Sequence, residues 1–126
     1  MAVDLNHTIV AARDAKASAE WYAEMFDLAV PKQFGPFWEV TTGNGVDLAF
    51  NTAEDAELRS QHYAFLITED EFDTIFGRIV ERSIDHYADP GAQRRSEINH
   101  NDGGRGVYFP DPDGHWLEII TRPYGG

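Results

Sequence analysis

The sequence contains no cysteine, so neither a disulfide framework nor a cysteine nucleophile can contribute to this protein. No apolar run approaches the roughly 18 consecutive residues that a membrane-spanning helix needs. The N-terminal residues also lack the basic start and the hydrophobic stretch of a secretory signal peptide. These absences predict no membrane segment and make a cytoplasmic location the default expectation.

Basic residues are scarce, since 10 Lys and Arg stand against 22 Asp and Glu and the formal net charge is −12. Such a chain repels phosphate backbones and anionic lipid surfaces, so we expect neither nucleic acid nor a membrane as a partner. The last third of the chain is closer to balance and could still hold an anionic group of a small substrate. The arginines of that region are Arg94, Arg95, Arg105 and Arg122.

Apolar residues make up 42% of the 126 residues, which is enough for the core of one compact domain. In the first half, Asp14 can cap a helix, and Gly43-Asn44-Gly45 is a strong hairpin signal. The predicted elements of this half are a strand over 3–12, a helix over 15–26, a short strand between Pro31 and Gly35, and strands over 37–42 and 46–51.

The second half starts the same plan again. Thr68 and Glu71 form a capping box, and apolar residues at helical spacing follow it. The predicted elements are a strand over 61–67, the helix after Thr68, a strand near 84–88, and hairpin strands over 106–110 and 115–121. The repeated order of strand, helix and three strands predicts an α+β fold with two βαβββ modules, about 1–56 and about 57–126, in a single domain.

Four metal-competent side chains occupy the middle of predicted strands in the order histidine, acid, histidine, acid: His7, Asp47, His62 and Glu118. A carboxylate between apolar neighbours is costly to desolvate unless a charge or a hydrogen bond meets it. Two neutral imidazoles and a carboxylate suit Fe(II), Mn(II), Ni(II), Co(II) or Zn(II). A single such residue is more often a core histidine or a solvent-facing acid, and it is the repeat that favours a metal site. The shorter Asp47 leaves both interpretations open.

Superposing Asp47 on Glu118 aligns Gly43 with Gly114. The separation of histidine from acid is 40 residues in the first half and 56 in the second, because the second half contains a polar loop over 89–105. Loops on a rigid scaffold commonly carry specificity, so we expect this loop to influence substrate preference.

Three motifs carry a family resemblance: Leu5-Asn6-His7, His62-Tyr63-Ala64-Phe65, and the run from Val107 to Glu118 around Asp111-Pro112-Asp113-Gly114. With them the chain resembles the vicinal oxygen chelate superfamily of glyoxalases, extradiol dioxygenases, fosfomycin-resistance thiol transferases and bleomycin-binding proteins. The resemblance covers nearly the whole chain. It implies two βαβββ modules forming a curled mixed sheet around a cleft that holds a divalent metal ion.

The resemblance also implies a set of site residues. His7, His62 and Glu118 would be the metal ligands, and Asp47 would stand where glyoxalases place a fourth. Small members typically form homodimers with a shared cleft, so His7 of one subunit would face His62 and Glu118 of the other. Tyr108 and Glu118 are the candidate catalytic residues, because a tyrosine ten residues before the glutamate reaches the substrate in several members. The alternative for Tyr108 is an aromatic ring packed across its hairpin. Three further histidines are weaker candidates, of which the first is expected to be structural: His115, His86 and His100.

The resulting functional prediction is a divalent-metal-dependent enzyme of the glyoxalase or dioxygenase type, acting as a lyase or dioxygenase on a small molecule with adjacent oxygens. The alternative is an antibiotic-binding or antibiotic-modifying resistance protein of the bleomycin-binding or fosfomycin thiol transferase type. Ala11 stands where glyoxalases carry an arginine, and Ile9 stands where the fosfomycin enzymes carry a threonine. The aromatic content, including Trp38 and Trp116, motivates a binding role in a cleft, and the alternative is that these rings pack the core.

Overall fold

The computed structural model describes residues 2–124 and divides the chain into two compact units after Arg59. Unit 1 ends at Arg59 and unit 2 begins at Ser60. Each unit has one α-helix and one mixed sheet, of four strands in unit 1 and three in unit 2. This architecture confirms the α+β fold class.

Unit 1 has the predicted order of strand, helix and three strands. Its sheet has the order β1-β4-β3-β2, in which β1 and β4 are parallel and the other pairs are antiparallel. The elements are β1 (His7–Ala12), α1 (Ala15–Phe26), β2 (Lys32–Phe34), β3 (Phe37–Thr41) and β4 (Asp47–Thr52), followed by a 3₁₀ turn at Asp55–Glu57.

Helix α1 begins and ends where local chemistry dictates. The Asp14 side chain accepts a hydrogen bond of 3.1 Å from the Ala17 N–H, as an N-cap residue should, and Asp27 ends the helix in a left-handed conformation. The helix buries Tyr22, whose ring centroid lies 4.8 Å from that of Phe50 on β4. Because strand side chains alternate, the face opposite Phe50 carries His7 and Ile9, both of which are exposed.

Unit 2 contains β5 (His62–Leu66), α2 (Glu69–Glu81), β6 (Gly106–Pro110) and β7 (Trp116–Ile120), with a 3₁₀ turn at Asn101–Gly103. The sheet order is β5-β7-β6, with β5 parallel and β6 antiparallel to β7. The capping box is confirmed, since Thr68 Oγ1 accepts from the Glu71 N–H at 3.1 Å and Glu71 Oε1 accepts from the Thr68 N–H at 2.8 Å.

The strand predicted near 84–88 is wrong. Only Tyr87 pairs there, exchanging backbone hydrogen bonds of 2.9 and 2.8 Å with Tyr108. The chain then turns at once, because the Asp89 carboxylate accepts from the backbone N–H groups of Gln93 and Arg94. The N–H of Arg94 is the largest cause of the lowered pKa of Asp89. A carboxylate cap of this kind draws the backbone into a loop instead of an extended ladder.

The strand register corrects the alignment of the two halves. His7 lies directly opposite Asp47 on the neighbouring parallel strand, whereas His62 lies two residues out of register with Glu118. When the two histidines are superposed, the residue of unit 1 that corresponds to Glu118 is therefore Ala49. The superposition of Asp47 on Glu118 is wrong by two residues.

The hairpin turns agree with this register. Thr42–Val46 and Asp111–His115 form connections of equal length between their strands. Gly45 and Gly114 occupy matching places with φ of 82° and 87°, a left-handed conformation that side chains rarely adopt. Gly45, and not Gly43, is the equivalent of Gly114.

Candidate metal centre

One face of the unit 2 sheet collects the predicted site residues of that unit. Glu118 on β7 lies opposite Tyr108 on β6, and His62 on β5 lies opposite Trp116, two positions before Glu118. Since side chains at i and i+2 of a strand share a face, all four side chains project from the same side. The sheet therefore positions His62, Tyr108 and Glu118 without help from the polar loop.

His62 is held in one tautomer by a backbone carbonyl. Its Nδ1 lies 2.8 Å from the carbonyl oxygen of Trp116. A carbonyl can only accept, so the proton is on Nδ1 and the neutral ring presents the lone pair of Nε2. That Nε2 atom lies 3.2 Å from Oε1 of Glu118. Metal-binding histidines are commonly oriented in this way by a hydrogen bond to their second nitrogen.

Glu118 is a buried carboxylate with a polar partner for each oxygen. Its side chain is 1% exposed, whereas that of His62 is 47% exposed. Oε2 accepts a hydrogen bond from the hydroxyl of Tyr124. When the imidazole is neutral, Oε1 faces the lone pair of Nε2, so that two acceptors point at each other. This arrangement is favourable only when a proton or a metal cation lies between them.

The separation of the two atoms fits a shared divalent ion. A nitrogen and an oxygen 3.2 Å apart are close enough together to be ligands of one divalent ion, which His62 and Glu118 would then hold. The donor set of one imidazole and one carboxylate also suits first-row transition metals.

Tyr108 packs in the hairpin, and its hydroxyl joins the hydrogen-bonded cluster around Glu118, while its catalytic role stays a prediction. Its ring stacks with that of His62 and with that of Trp116, at centroid distances of 6.0 and 6.2 Å. Its hydroxyl lies 2.8 Å from the hydroxyl of Tyr124. Burial raises the pKa of Tyr108, and burial together with the hydrogen bond to Glu118 raises that of Tyr124. Both phenols therefore stay protonated at neutral pH.

Sequence reasoning missed Tyr124. This residue follows Pro123 beyond the last strand, where no hydrophobic period indicates which way a side chain points. Its contact with Glu118 joins residues only six positions apart, but the chain must turn back for the contact to form. No pattern in the sequence specifies that turn.

His7 in unit 1, like His62, is oriented by a hydrogen bond from its Nδ1. It is exposed, and its Nδ1 lies 2.7 Å from the side-chain oxygen of Asn6. An amide oxygen accepts only, so Nδ1 carries the proton and Nε2 presents its lone pair. Asn6 in the Leu5-Asn6-His7 motif thus has a physical role as the group that orients the histidine.

Asp47 is differently placed. Its Oδ1 accepts a hydrogen bond of 2.5 Å from the Thr41 hydroxyl, directly across the hairpin. The residue that corresponds to Glu118 is Ala49, whose methyl group cannot bind a metal. The role of Asp47 as a ligand stays a prediction, and the alignment that motivated it no longer supports it.

The His, Asp and Glu side chains of residues 2–124 form no group of three or more that could hold a metal ion. His62 and Glu118 form a pair. A complete centre of the expected kind needs at least one further protein ligand.

The arginines of the second half are paired with carboxylates. Arg94 lies 3.2 Å from Glu97, and Arg95 lies 2.8 Å from Asp85. Arg105 contacts Glu69 at 2.7 Å and Asp73 at 2.8 Å. These pairs do not support an anion-binding site built on Arg94, Arg95 or Arg105.

The other histidines have different surroundings. His115 is 1% exposed and accepts a hydrogen bond of 3.0 Å at Nδ1 from the Gln61 N–H, which fits the structural role expected for it. His86 is half-buried beside Phe76, with ring centroids 5.2 Å apart. His100 is exposed at the start of the Asn101–Gly103 turn. Neither His86 nor His100 gains support as a site residue.

Neither of the two α-helices within residues 2–124 is long and apolar enough to cross a membrane.

Comparison with known proteins gives a consistent family. A family model described as the Glyoxalase/Bleomycin resistance protein/Dioxygenase superfamily matches residues 4–119. The solved structure named Oxidase ChaP-H1 is 61% identical, with a TM-score of 0.95, covering 99% of this chain and 100% of that one. A curated relative, Metallothiol transferase FosB from Shouchella clausii (strain KSM-K16), is 31% identical over 122 residues, covering 93% of this chain and 79% of its own length.

A third protein shares the fold at lower identity. The fosfomycin resistance protein FosX from Listeria monocytogenes, solved with Mn(II) and a sulfate ion, is 20% identical with a TM-score of 0.72. The match covers 98% of this chain and 94% of that one.

Proposed function

Since the chain belongs to the Glyoxalase/Bleomycin resistance protein/Dioxygenase superfamily, we propose that it is a divalent-metal-dependent oxidase of a small molecule with adjacent oxygens. The observation that carries the proposal is the His62 and Glu118 pair, whose facing atoms at 3.2 Å are suited to holding a proton or a metal cation between them. The 61% identity with an oxidase over the full length favours oxidation among the chemistries of the family.

We assign the metal ligands to His62 and Glu118 of one subunit and His7 of a second subunit in a homodimer. His7 and His62 both present Nε2, because Asn6 and the Trp116 carbonyl hold their Nδ1 atoms. Both histidines lie on strands at the edge of their own sheets.

The surroundings of the two histidines support a shared cleft. Ile9 is 57% exposed on the same face as His7, and Leu66 is 61% exposed on the same face as His62. Exposed apolar side chains beside ligand-ready histidines are what a strand-bearing interface would cover.

The positions of the site residues indicate a different role for each of them. A bound divalent ion would supply the positive charge that chelates two substrate oxygens and favours their deprotonated form. Glu118 would hold that ion with a buried negative charge, and His62 would approach it from the solvent-exposed side. Tyr108 lies beside both and would contact the chelated substrate. Its ring and that of Trp116 form a stacked wall against which a flat substrate can pack.

The charge distribution favours a neutral or weakly acidic substrate over a strongly anionic one. Arg94, Arg95 and Arg105 are all engaged with carboxylates. The chain is strongly acidic overall, so a substrate with several negative charges would be repelled.

A second candidate is thiol transfer to an antibiotic, which the curated relatives favour. FosB of Shouchella clausii covers most of this chain at 31% identity. Ile9 in place of the family's threonine and the paired arginines of unit 2 weigh against this candidate. The two candidates differ in their co-substrate, dioxygen for the oxidase and a thiol for the transferase.

An oxygen electrode separates the two candidates. Protein loaded with Fe(II), Mn(II), Ni(II), Co(II) or Zn(II) is given catechols in one series, and fosfomycin with glutathione or another small thiol in the other. We expect oxygen uptake above the substrate's own autoxidation, lost in His62→Ala. Thiol consumption without oxygen uptake would support the transferase, and unchanged turnover of His62→Ala would exclude the proposed metal centre.

A further inference from the structure

Tyr124 combines an exposed ring with a hydroxyl that reaches a buried atom. The residue is 57% exposed, although its hydroxyl donates to Oε2 of the buried Glu118. Thr121 secures the segment that leads to it, because its N–H donates to the Arg105 carbonyl at 3.0 Å and its Oγ1 accepts from the Arg105 N–H at 2.8 Å. The chain after β7 is therefore held where it turns back over the sheet.

The direction of each hydrogen bond in this cluster follows from counting protons. The Tyr124 hydroxyl donates to Oε2 of Glu118, so its single proton points to the carboxylate. The bond of 2.8 Å between the two hydroxyls must then be donated by Tyr108 to the oxygen of Tyr124. The result is a one-way chain from Tyr108 through Tyr124 to Glu118.

We propose that Tyr124 is a positioning residue that fixes Glu118 for metal binding by occupying Oε2. With Oε2 held, the carboxylate cannot rotate its second oxygen toward His62, and Oε1 stays 3.2 Å from Nε2. Glu118 is thereby prepared to bind an ion through one oxygen. Hydrogen bonds to a ligand's outer atoms commonly tune affinity in this way. The inference rests on the proposed metal-dependent function.

The same chain has a consequence for Tyr108. Its only proton is directed at Tyr124, so it cannot donate to a substrate while that contact is intact. Tyr108 offers lone pairs to an incoming group, and a substrate hydroxyl can donate to them. A hydroxylated aromatic compound meets this requirement and also fits the stacked rings of Tyr108 and Trp116.

Metal affinity tests the role of Tyr124. Metal-stripped wild type, Tyr124→Phe and Tyr87→Phe are titrated with Mn(II), by calorimetry and by electron paramagnetic resonance. Tyr87→Phe is the matched control, because it removes a hydroxyl from the same unit and its ring packs on Trp116. We expect Tyr124→Phe to weaken binding roughly 10- to 100-fold and to change the Mn(II) spectrum, whereas Tyr87→Phe leaves both unchanged.

The possible results are distinguishable. Circular dichroism and thermal unfolding in EDTA check that Tyr124→Phe keeps its fold, so that a loss of affinity is not a loss of structure. Equal affinity of Tyr124→Phe and wild type would overturn the positioning role but leave the metal-dependent function standing. Tighter binding by Tyr124→Phe would overturn it too, because the hydroxyl would then compete with the ion. A wild type that binds no Mn(II) or other divalent metal would refute the proposed function, and the inference with it.

Discussion

Replacing Glu118 by Gln should separate metal binding from stability. The side chain is 1% exposed, and its Oε1 faces the lone pair of His62 Nε2 at 3.2 Å. In Glu118→Gln, the amide nitrogen can take the place of Oε1 and donate to Nε2, and the amide oxygen can still accept from Tyr124. One change therefore converts two facing acceptors into a donor and an acceptor.

The expected magnitudes follow from these contacts. The new hydrogen bond to Nε2 contributes about 1 kcal/mol, and the bond from Tyr124 loses a similar amount when its acceptor becomes neutral. Removal of a buried charge relieves a desolvation penalty of several kcal/mol, reduced by the existing partners. We expect the metal-free variant at pH 8 to be as stable as wild type or more stable by roughly 1–2 kcal/mol.

Metal reverses the order of stability. At a free metal concentration of about 100 times the Kd, wild type gains about 2.7 kcal/mol. Glu118→Gln should gain far less, because a neutral amide is a weaker ligand than a carboxylate. Glu118→Gln should thus be at least as stable as wild type in EDTA and less stable than wild type with bound metal.

Urea denaturation with EDTA and with saturating Mn(II) measures both quantities. Glu118→Ala is the control, and it should lose roughly 2–4 kcal/mol in EDTA because it leaves a cavity and an unsatisfied Tyr124 hydroxyl. A loss of more than about 3 kcal/mol by Glu118→Gln in EDTA would refute the reasoning. Such a loss is typical of breaking a buried ion pair and would mean that a protonated His62 already neutralises the carboxylate.

Three further outcomes are expected. Asp47→Asn should leave the Mn(II) affinity unchanged, because the Asp47 carboxylate is hydrogen-bonded to Thr41. A loss of affinity comparable to that of His62→Ala would show that Asp47 is a ligand after all. Gly114→Ala should cost roughly 1–2 kcal/mol in urea denaturation because φ is 87°. Gly43 has equally open space around its Cβ but no left-handed φ, so Gly43→Ala should cost much less, and equal losses would contradict this. Because the pKa of Asp89 is lowered, its contribution to stability is fully present above pH 3.8 and is lost as the pH falls through the lowered value. The chemical shift of the Arg94 amide in NMR should therefore titrate with a midpoint below pH 3.8. A midpoint at or above pH 3.8 would contradict the cap.

Local chemistry made both helices predictable. Asp14 and the pair of Thr68 and Glu71 mark where α1 and α2 begin, and the structure confirms both caps. A cap acts through side chains within a few residues of one another, so it can be read from the sequence alone. The strand over 106–110 was equally predictable, because the Asp-Pro-Asp-Gly turn that follows it marks its end.

Features that depend on distant parts of the chain were not predictable. The lateral register between β1 and β4 is set by pairing of residues about 40 positions apart, and counting along the sequence placed Asp47 two residues away from its true equivalence. The segment near 84–88 looked like a strand, but only Tyr87 pairs with Tyr108, and the extent of that pairing depends on a residue 21 positions away. Tyr124 reaches Glu118 only through a reversal of the chain after the final strand.

The most direct test of the shared metal centre uses mixed dimers of two inactive subunits. His7→Ala and His62→Ala chains carry different affinity tags, are expressed together, and the mixed dimers are isolated and assayed for bound metal by mass spectrometry. Each variant alone should bind no metal. In the mixed dimer, the intact His7 of one chain meets the intact His62 and Glu118 of the other, so metal should return to one of the two sites. Mixed dimers that stay as empty as the separate variants would contradict the assignment of His7 to the centre of the second subunit.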